Sequence, residues 1–147
     1  MYDKYSKGNI DFSNTSDKNH QVWFIHEMVH IWQNQLGSST LKHGACIFVG
    51  GKYFGSGGTQ NGQASNSAKA YDYDIVNDGI DFPDYSLEQQ AEVISHYFDI
   101  LKFGQKAKFY SLKTYYEKCL AYFLKNPNEP LLLPKNIKWT ECFDIIK

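Results

Sequence analysis

Apolar residues recur with a helical period between residues 22 and 36. At about 100° per residue, five of them fall within about 80° of one another on a helical wheel. These residues are Val22, Ile25, Val29, Trp32 and Leu36. The pattern predicts a helix over residues 17–36. Gly37 stands where a left-handed residue commonly ends a helix, and apolar residues on other faces indicate that this helix is central and buried.

A second periodic region covers residues 86–125 and predicts two helices that break near Gly104. Ser86 with Gln89 forms a capping box, which marks the start of the first of them. Asn126 and Pro127 stop the second. The apolar positions that follow the helical period of the first helix are Leu87, Ala91, Ile94, Phe98 and Leu101.

Three short stretches favour strands: residues 9–12, 45–49 and 71–75. Residues 50–67 are rich in Gly, Ser and Asn, which favours a flexible connection over a lid. The tail, with Pro130 and Pro134, is expected to wrap the body. A chain of 147 residues fits one domain. The prediction is therefore a single α+β domain, residues 1–147, in which two packed helices accompany a small, mostly antiparallel sheet.

The first helix contains the pentad His26-Glu27-Met28-Val29-His30. Two His at i and i+4 lie about one turn apart, so both imidazoles can bind one Zn²⁺, and the intervening Glu suits the role of base for a metal-activated water. The alternative is a pair of core histidines bonded to the backbone. Burying two imidazoles and a Glu without a metal would leave costly polar groups to satisfy, which favours one zinc ion.

A catalytic zinc needs a third protein ligand and keeps its fourth position open. Glu88, Glu92 and Asp99 lie within about 40° of each other along one border of the predicted second helix. A carboxylate of this row is the best candidate, while His43 and His96 are further options. A solvated acidic edge is the alternative interpretation. The residues alone leave the choice between Glu88 and Glu92 open.

Composition narrows the function classes. Lys+Arg number 15 and Asp+Glu 16, without a basic run, which argues against nucleic acid as the main partner. No apolar run reaches the roughly 18 residues of a membrane span, and the N-terminus lacks a Sec-type signal, so a cytoplasmic protein is expected as synthesised. Cys46, Cys119 and Cys142 show no CxxC spacing and are expected to be reduced core thiols rather than ligands.

The pentad followed by the helical pair Glu88 and Glu92 resembles the gluzincin branch of the zincin metallopeptidases. The residues in and around both motifs resemble small bacterial zincin-like domains still more closely. Some of these domains are attached to Vgr- and Rhs-type secreted proteins. The resemblance covers residues 10–101. It implies a zincin-like fold in which His26, His30 and Glu88 are zinc ligands, Glu27 is the catalytic base and Glu92 supports a ligand His.

The chain departs from thermolysin-like members in three ways. Ser86-Leu87 precedes the ligand Glu in place of an Asn-containing motif, and the gap between His30 and Glu88 is much longer. The downstream His that stabilises the oxyanion in thermolysin has no counterpart, since no His follows His96. Candidates for that task are Tyr71, Tyr73, Tyr97 and His96.

These motifs lead to the expectation of a zinc metallopeptidase that cleaves a peptide or protein substrate. Two alternatives remain. One is a non-catalytic zincin-like binding or structural module, against which the intact Glu27 argues. The other is a zinc hydrolase toxin that attacks a non-peptide or cell-wall amide bond. The small size and the lack of a signal fit either an intracellular peptidase or cargo of a specialised secretion system, and in the second case a delivery or immunity partner is expected.

Overall fold

A computed structural model describes residue 11, residues 16–38 and residues 71–134. This part of the chain forms three α-helices: α1 (Lys18–Gln35), α2 (Leu87–Phe103) and α3 (Lys113–Lys125). Short 3-10 helices connect and flank them, at Phe82–Asp84, Gly104–Lys106, Tyr110–Leu112 and Pro130–Leu132. The predicted helix positions are confirmed, and two 3-10 turns separate α2 from α3 after Gly104.

Local capping explains where α1 and α2 begin and end. The Asp17 side chain accepts hydrogen bonds from the backbone N–H groups of Asn19 and His20, which satisfies donors that the first turn leaves unpaired. Gly37 follows α1 with a φ of 107°, a conformation that disfavours residues with a side chain. The capping box predicted at Ser86 and Gln89 is present at the start of α2.

Helices α1 and α2 pack against each other and run in opposite directions. Lys18, in the first turn of α1, lies 3.0 Å from Asp99 near the end of α2. At the other end, Gln33 donates to the carbonyl of Leu87 in the first turn of α2. The antiparallel pairing therefore sets the middle of α1 against the first two turns of α2.

The apolar core lies between α2, α3 and the short helices around them. Its buried members are Phe82, Tyr85, Val93, Tyr97, Ile100, Ala107, Tyr116, Leu120 and Leu132. Trp32 links α1 to this core: its ring lies 5.2 Å from that of Phe123, and its indole N–H donates to the carbonyl of Pro127. Burial of Leu132 and Pro134 places residues 130–134 against the body, as predicted for the tail up to that point.

The predicted α+β class is wrong: the described residues contain helices and turns but no strand or sheet. Residues 71–75, predicted as a strand, form an irregular segment and a turn. The Asp74 carboxylate accepts hydrogen bonds from the backbone N–H groups of Val76 and Asn77, and Asp78 accepts from the N–H of Asp74. These local bonds replace the backbone pairing that a strand would need.

Several other predictions lie outside the described residues. They are the strand at 45–49, the strand at 9–12 apart from residue 11, the flexible connection at 50–67, and the roles of His43, Cys46 and Cys142. Cys119 is half-buried with a free thiol, and burial raises its pKa to about 11.

Helix α1 is less buried than its apolar content predicts. Trp23, Met28 and Ile31 are each 41–51% exposed, and the buried residues are His26, Val29 and Gln33. Two of the three buried positions are therefore polar. None of the helices described is long and apolar enough to cross a membrane.

Candidate metal centre

The facing turns of α1 and α2 bring three polar atoms together. Oε2 of Glu88 lies 3.3 Å from Nε2 of His26 and 3.3 Å from Nε2 of His30. The two Nε2 atoms are also 3.3 Å apart. The three side chains form a group that could hold a metal ion. Helical spacing brings the two imidazoles together, and the antiparallel packing of α2 supplies the carboxylate.

The dimensions of this triangle fit a tetrahedral metal. Bonds of about 2.0–2.1 Å from zinc to nitrogen or oxygen, at tetrahedral angles, place any two ligand atoms about 3.3–3.4 Å apart. All three separations in the group have this value. Two imidazoles and a carboxylate are also a donor set that zinc accepts.

Glu92 contacts the opposite nitrogen of His26. Its Oε1 lies 2.9 Å from Nδ1 of His26, while its Oε2 lies 3.3 Å from Nε2 of His96. Glu92 and Glu88 therefore lie at opposite edges of the His26 ring, Glu92 at Nδ1 and Glu88 at Nε2. The structure groups Glu88, and not Glu92, with the two Nε2 atoms.

The contact from Glu92 continues into the core through His96. Nδ1 of His96 lies 2.6 Å from the hydroxyl of Tyr73, and this hydroxyl lies 2.5 Å from that of Tyr116 on α3. Burial and the neighbouring Tyr116 raise the pKa of Tyr73, so its hydroxyl stays protonated. This series of contacts joins Glu92 to Tyr116 on α3 and holds the Oε2 side of Glu92 in place.

Gln33 contacts Nδ1 of His30, the nitrogen that faces away from the triangle. The distance from its Oε1 to that nitrogen is 2.9 Å. Its amide nitrogen lies 3.0 Å from the carbonyl oxygen of Leu87 and 3.1 Å from Oε1 of Gln90. The sequence places Gln33 beside the His pair through its i+3 spacing from His30. Neither Gln33 nor Gln90 was predicted from the sequence to have a role.

A cavity of about 380 Å³ lies on the side of α1 that carries Glu27. Its lining includes His26, Glu27, Tyr71 and Glu92, together with Asn19, Val22, Trp23 and Ser95. Glu27 is exposed and forms no ion pair with any described residue, whereas Glu88 and Glu92 each pair with histidines. A carboxylate in this position can exchange protons with a molecule in the cavity.

The four candidates for oxyanion stabilisation lie in different surroundings. Tyr71 lines the cavity, and its ring lies 5.9 Å from that of His26. Tyr73 and His96 are hydrogen-bonded to each other, in the series of contacts that continues from Glu92. Tyr97 is buried in the apolar core. Of the four, Tyr71 therefore has the position from which a side chain can reach a substrate; its role remains a prediction.

The charges of the group shift the pKa values of its members. Burial alone would lower the pKa of His26, but the carboxylates of Glu88 and Glu92 outweigh it and raise the pKa to about 9. Burial would raise the pKa of Glu88, yet its hydrogen bonds to the two histidines lower it to about 2. The pKa of His30 is raised because Glu88 outweighs burial. Without a metal, a proton on the imidazoles balances Glu88.

These shifts predict how the stability of the metal-free protein depends on pH. The contribution of His26 is complete below its ordinary pKa of 6.5 and is lost as the pH rises through about 9. The contribution of Glu88 to the free energy of unfolding is complete above its ordinary pKa of 4.5 and is lost as the pH falls through about 2. In urea unfolding with a chelator present, these two groups should therefore contribute most to the free energy of unfolding between pH 4.5 and 6.5.

A His26→Gln variant provides the control, since it should lose most of the decline between pH 6.5 and 9. Zinc should remove the decline in the native protein, because the metal replaces the proton. A free energy of unfolding that stays constant between pH 6.5 and 9 without metal would contradict the pairing.

Comparison of the chain with protein-family models, curated proteins and solved structures found no match. The assignment of this site therefore depends on its geometry and chemistry.

Proposed function

We propose that the protein is a zinc-dependent peptidase of the gluzincin type, in which His26, His30 and Glu88 hold the metal and Glu27 is the general base. The observation that carries this proposal is the triangle of three donor atoms with 3.3 Å sides, one of whose members, His26, lines the same cavity as Glu27. The resemblance of the two motifs to gluzincins supports it.

Zinc is favoured over other metals by the donor set. Imidazole nitrogen suits zinc and several transition metals, whereas magnesium and calcium prefer oxygen ligands throughout. Three protein ligands are typical of a catalytic zinc site, whereas a structural zinc site usually has four. The described part of the chain offers no fourth His, Cys, Asp or Glu residue to this group.

Each residue has a distinct task in the proposed hydrolysis. Zinc would polarise the scissile carbonyl and lower the pKa of a bound water toward about 7. Glu27 takes a proton from the attacking water and passes it to the leaving amine. Tyr71 donates its hydroxyl proton in a hydrogen bond to the developing oxyanion. Glu92 accepts a hydrogen bond from Nδ1 of His26, so that Nε2 keeps its lone pair for the metal.

The cavity is consistent with a peptide substrate. Val22, Trp23 and Tyr71 offer apolar and aromatic surface, while Asn19 and Ser95 offer polar groups that can bond to a peptide backbone. Its volume of about 380 Å³ suits one or two side chains of a longer chain.

The test is a digest of an unbiased peptide library by zinc-loaded protein, with products identified by mass spectrometry. Purified cell wall is digested in parallel. Peptide cleavage that a chelator abolishes and zinc restores is the expected result. Cleavage of cell-wall amides alone would replace the peptidase by an amidase. Stoichiometric zinc without cleavage of either substrate would favour a non-catalytic module.

A further inference from the structure

The two buried glutamines beside His30 form a hydrogen-bond network with one arrangement of donors and acceptors. Gln90 lies on α2, and its Nε2 is 3.1 Å from the carbonyl oxygen of Phe82 and 2.7 Å from that of Leu132. Carbonyl oxygens only accept, so both hydrogens of this amide are used. The Oε1 of Gln90 is therefore left to accept a hydrogen bond from Gln33.

The same reasoning fixes the orientation of Gln33. Its Nε2 faces two acceptors, the carbonyl oxygen of Leu87 and Oε1 of Gln90, which use both of its hydrogens. Its Oε1 then faces Nδ1 of His30 at 2.9 Å and can only accept. Rotating this amide by 180° would set an N–H against His30 and an oxygen against two other acceptors.

We infer that Gln33 and Gln90 are positioning residues that fix His30 in its metal-binding tautomer. A neutral imidazole carries one proton, and Gln33 requires that proton on Nδ1. Nε2 then keeps its lone pair, and this is the nitrogen that lies 3.3 Å from both Glu88 and His26. The inference rests on the metal site of the proposed function and is independent of the reaction catalysed there.

Burial strengthens the effect of Gln33 and Gln90 on the tautomer of His30. Gln33 and Gln90 are both 0% exposed, so water cannot replace either partner. An amide also stays neutral at every pH at which the protein is folded, unlike the carboxylate of Glu92 behind His26. The network further ties His30 to Phe82 and Leu132, which belong to short helices distant in sequence.

The test compares Gln33→Met, which keeps the volume but removes the acceptor, with the native protein. Zinc affinity, measured by competition with a chromophoric chelator, should fall about 10–100-fold. Without zinc, Glu88 would compete for the proton at Nε2 of His30, so the tautomer is measured in a Glu88→Ala background. In this zinc-free protein at alkaline pH, where the imidazole is neutral, ¹⁵N NMR should show the Nδ1–H tautomer of His30. It should show a mixture of tautomers when Gln33→Met is added to the same Glu88→Ala background. Gln90→Met is a second variant that should change both quantities in the same direction.

One control separates positioning from general packing. Lys18→Met removes an ion pair between the same two helices and should lower stability without changing the tautomer or the zinc affinity.

A single Nδ1–H tautomer with native zinc affinity in Gln33→Met would overturn the inference. An equal loss of zinc affinity in Lys18→Met would overturn it as well, since helix packing would then be sufficient. The NMR measurement uses zinc-free protein, so it gives an answer even if the native protein fails to bind zinc or to cleave peptides. Failure of the proposed function is thus distinguishable from failure of this inference.

Discussion

Glu27→Gln is expected to bind zinc like the native protein and to lose about 10²–10⁴-fold in kcat for peptide hydrolysis. The side chain lines the cavity and is not part of the group that could hold the metal. Glutamine matches the shape of glutamate but cannot take a proton from water. Metal content by elemental analysis and kcat on a cleaved library peptide, measured on the same preparation, check both halves of the prediction.

The matched control is Glu117→Gln, which makes the same substitution at an exposed position of α3. It should leave kcat and metal content unchanged. Hydrolysis at the native rate by Glu27→Gln would mean that another group is the base. Loss of zinc from this variant would instead mean that Glu27 takes part in binding the metal.

Glu88→Ala is expected to lose zinc, whereas Glu92→Ala should bind it about 10–100-fold more weakly. Glu88 has one oxygen within 3.3 Å of both Nε2 atoms, so its removal takes away one of the three proposed ligands. Glu92 contacts Nδ1 of His26 and acts on the metal only through that ring. Equilibrium competition with chelators of graded affinity separates a lost ligand from a weakened one.

Asp99→Asn serves as the control for this pair, because it changes a carboxylate of α2 that pairs with Lys18, remote from the group. Zinc affinity should stay native in that variant. A greater loss in Glu92→Ala than in Glu88→Ala would reverse the two roles. Circular dichroism of each variant establishes that α1 and α2 are retained.

The parts of the site that depend on local sequence could be predicted. Spacing within one helix places His26 and His30 on the same side. The capping box at Ser86 and Gln89 fixes the start of α2, and with it the position of Glu88 in the first turn. A helix border that carries metal-competent groups next to an apolar stripe was sufficient to predict that α1 and α2 pack side by side.

The hydrogen-bond network around the candidate ligands could not be predicted, because it joins residues far apart in the chain. Gln33 and Gln90 are 57 positions apart, and Tyr73 meets Tyr116 across 43. Buried polar side chains of this kind follow no periodic pattern, and their partners are defined only once the helices have packed. Neither glutamine was predicted from the sequence to have a role at the site.

The strand prediction at residues 71–75 was wrong for a different reason. Alternating Tyr and Asp match the period of a half-buried strand, yet the carboxylate of Asp74 accepts the N–H groups of the residues that follow it. Aspartate favours such turns over sheet pairing. The aromatic rings then find partners in the core, where Tyr73 packs against Tyr85 and His96.

The two carboxylates on either side of the His26 ring have a consequence for ion selectivity. Glu88 and Glu92 together carry two negative charges when both are ionised, as their lowered pKa values require near neutral pH. A dication makes the pair electroneutral, while a monovalent ion leaves one unbalanced negative charge and a trivalent ion one positive charge. Net charge in a half-buried site is costly, so we expect a divalent ion to bind the proposed site more tightly than a monovalent or trivalent one.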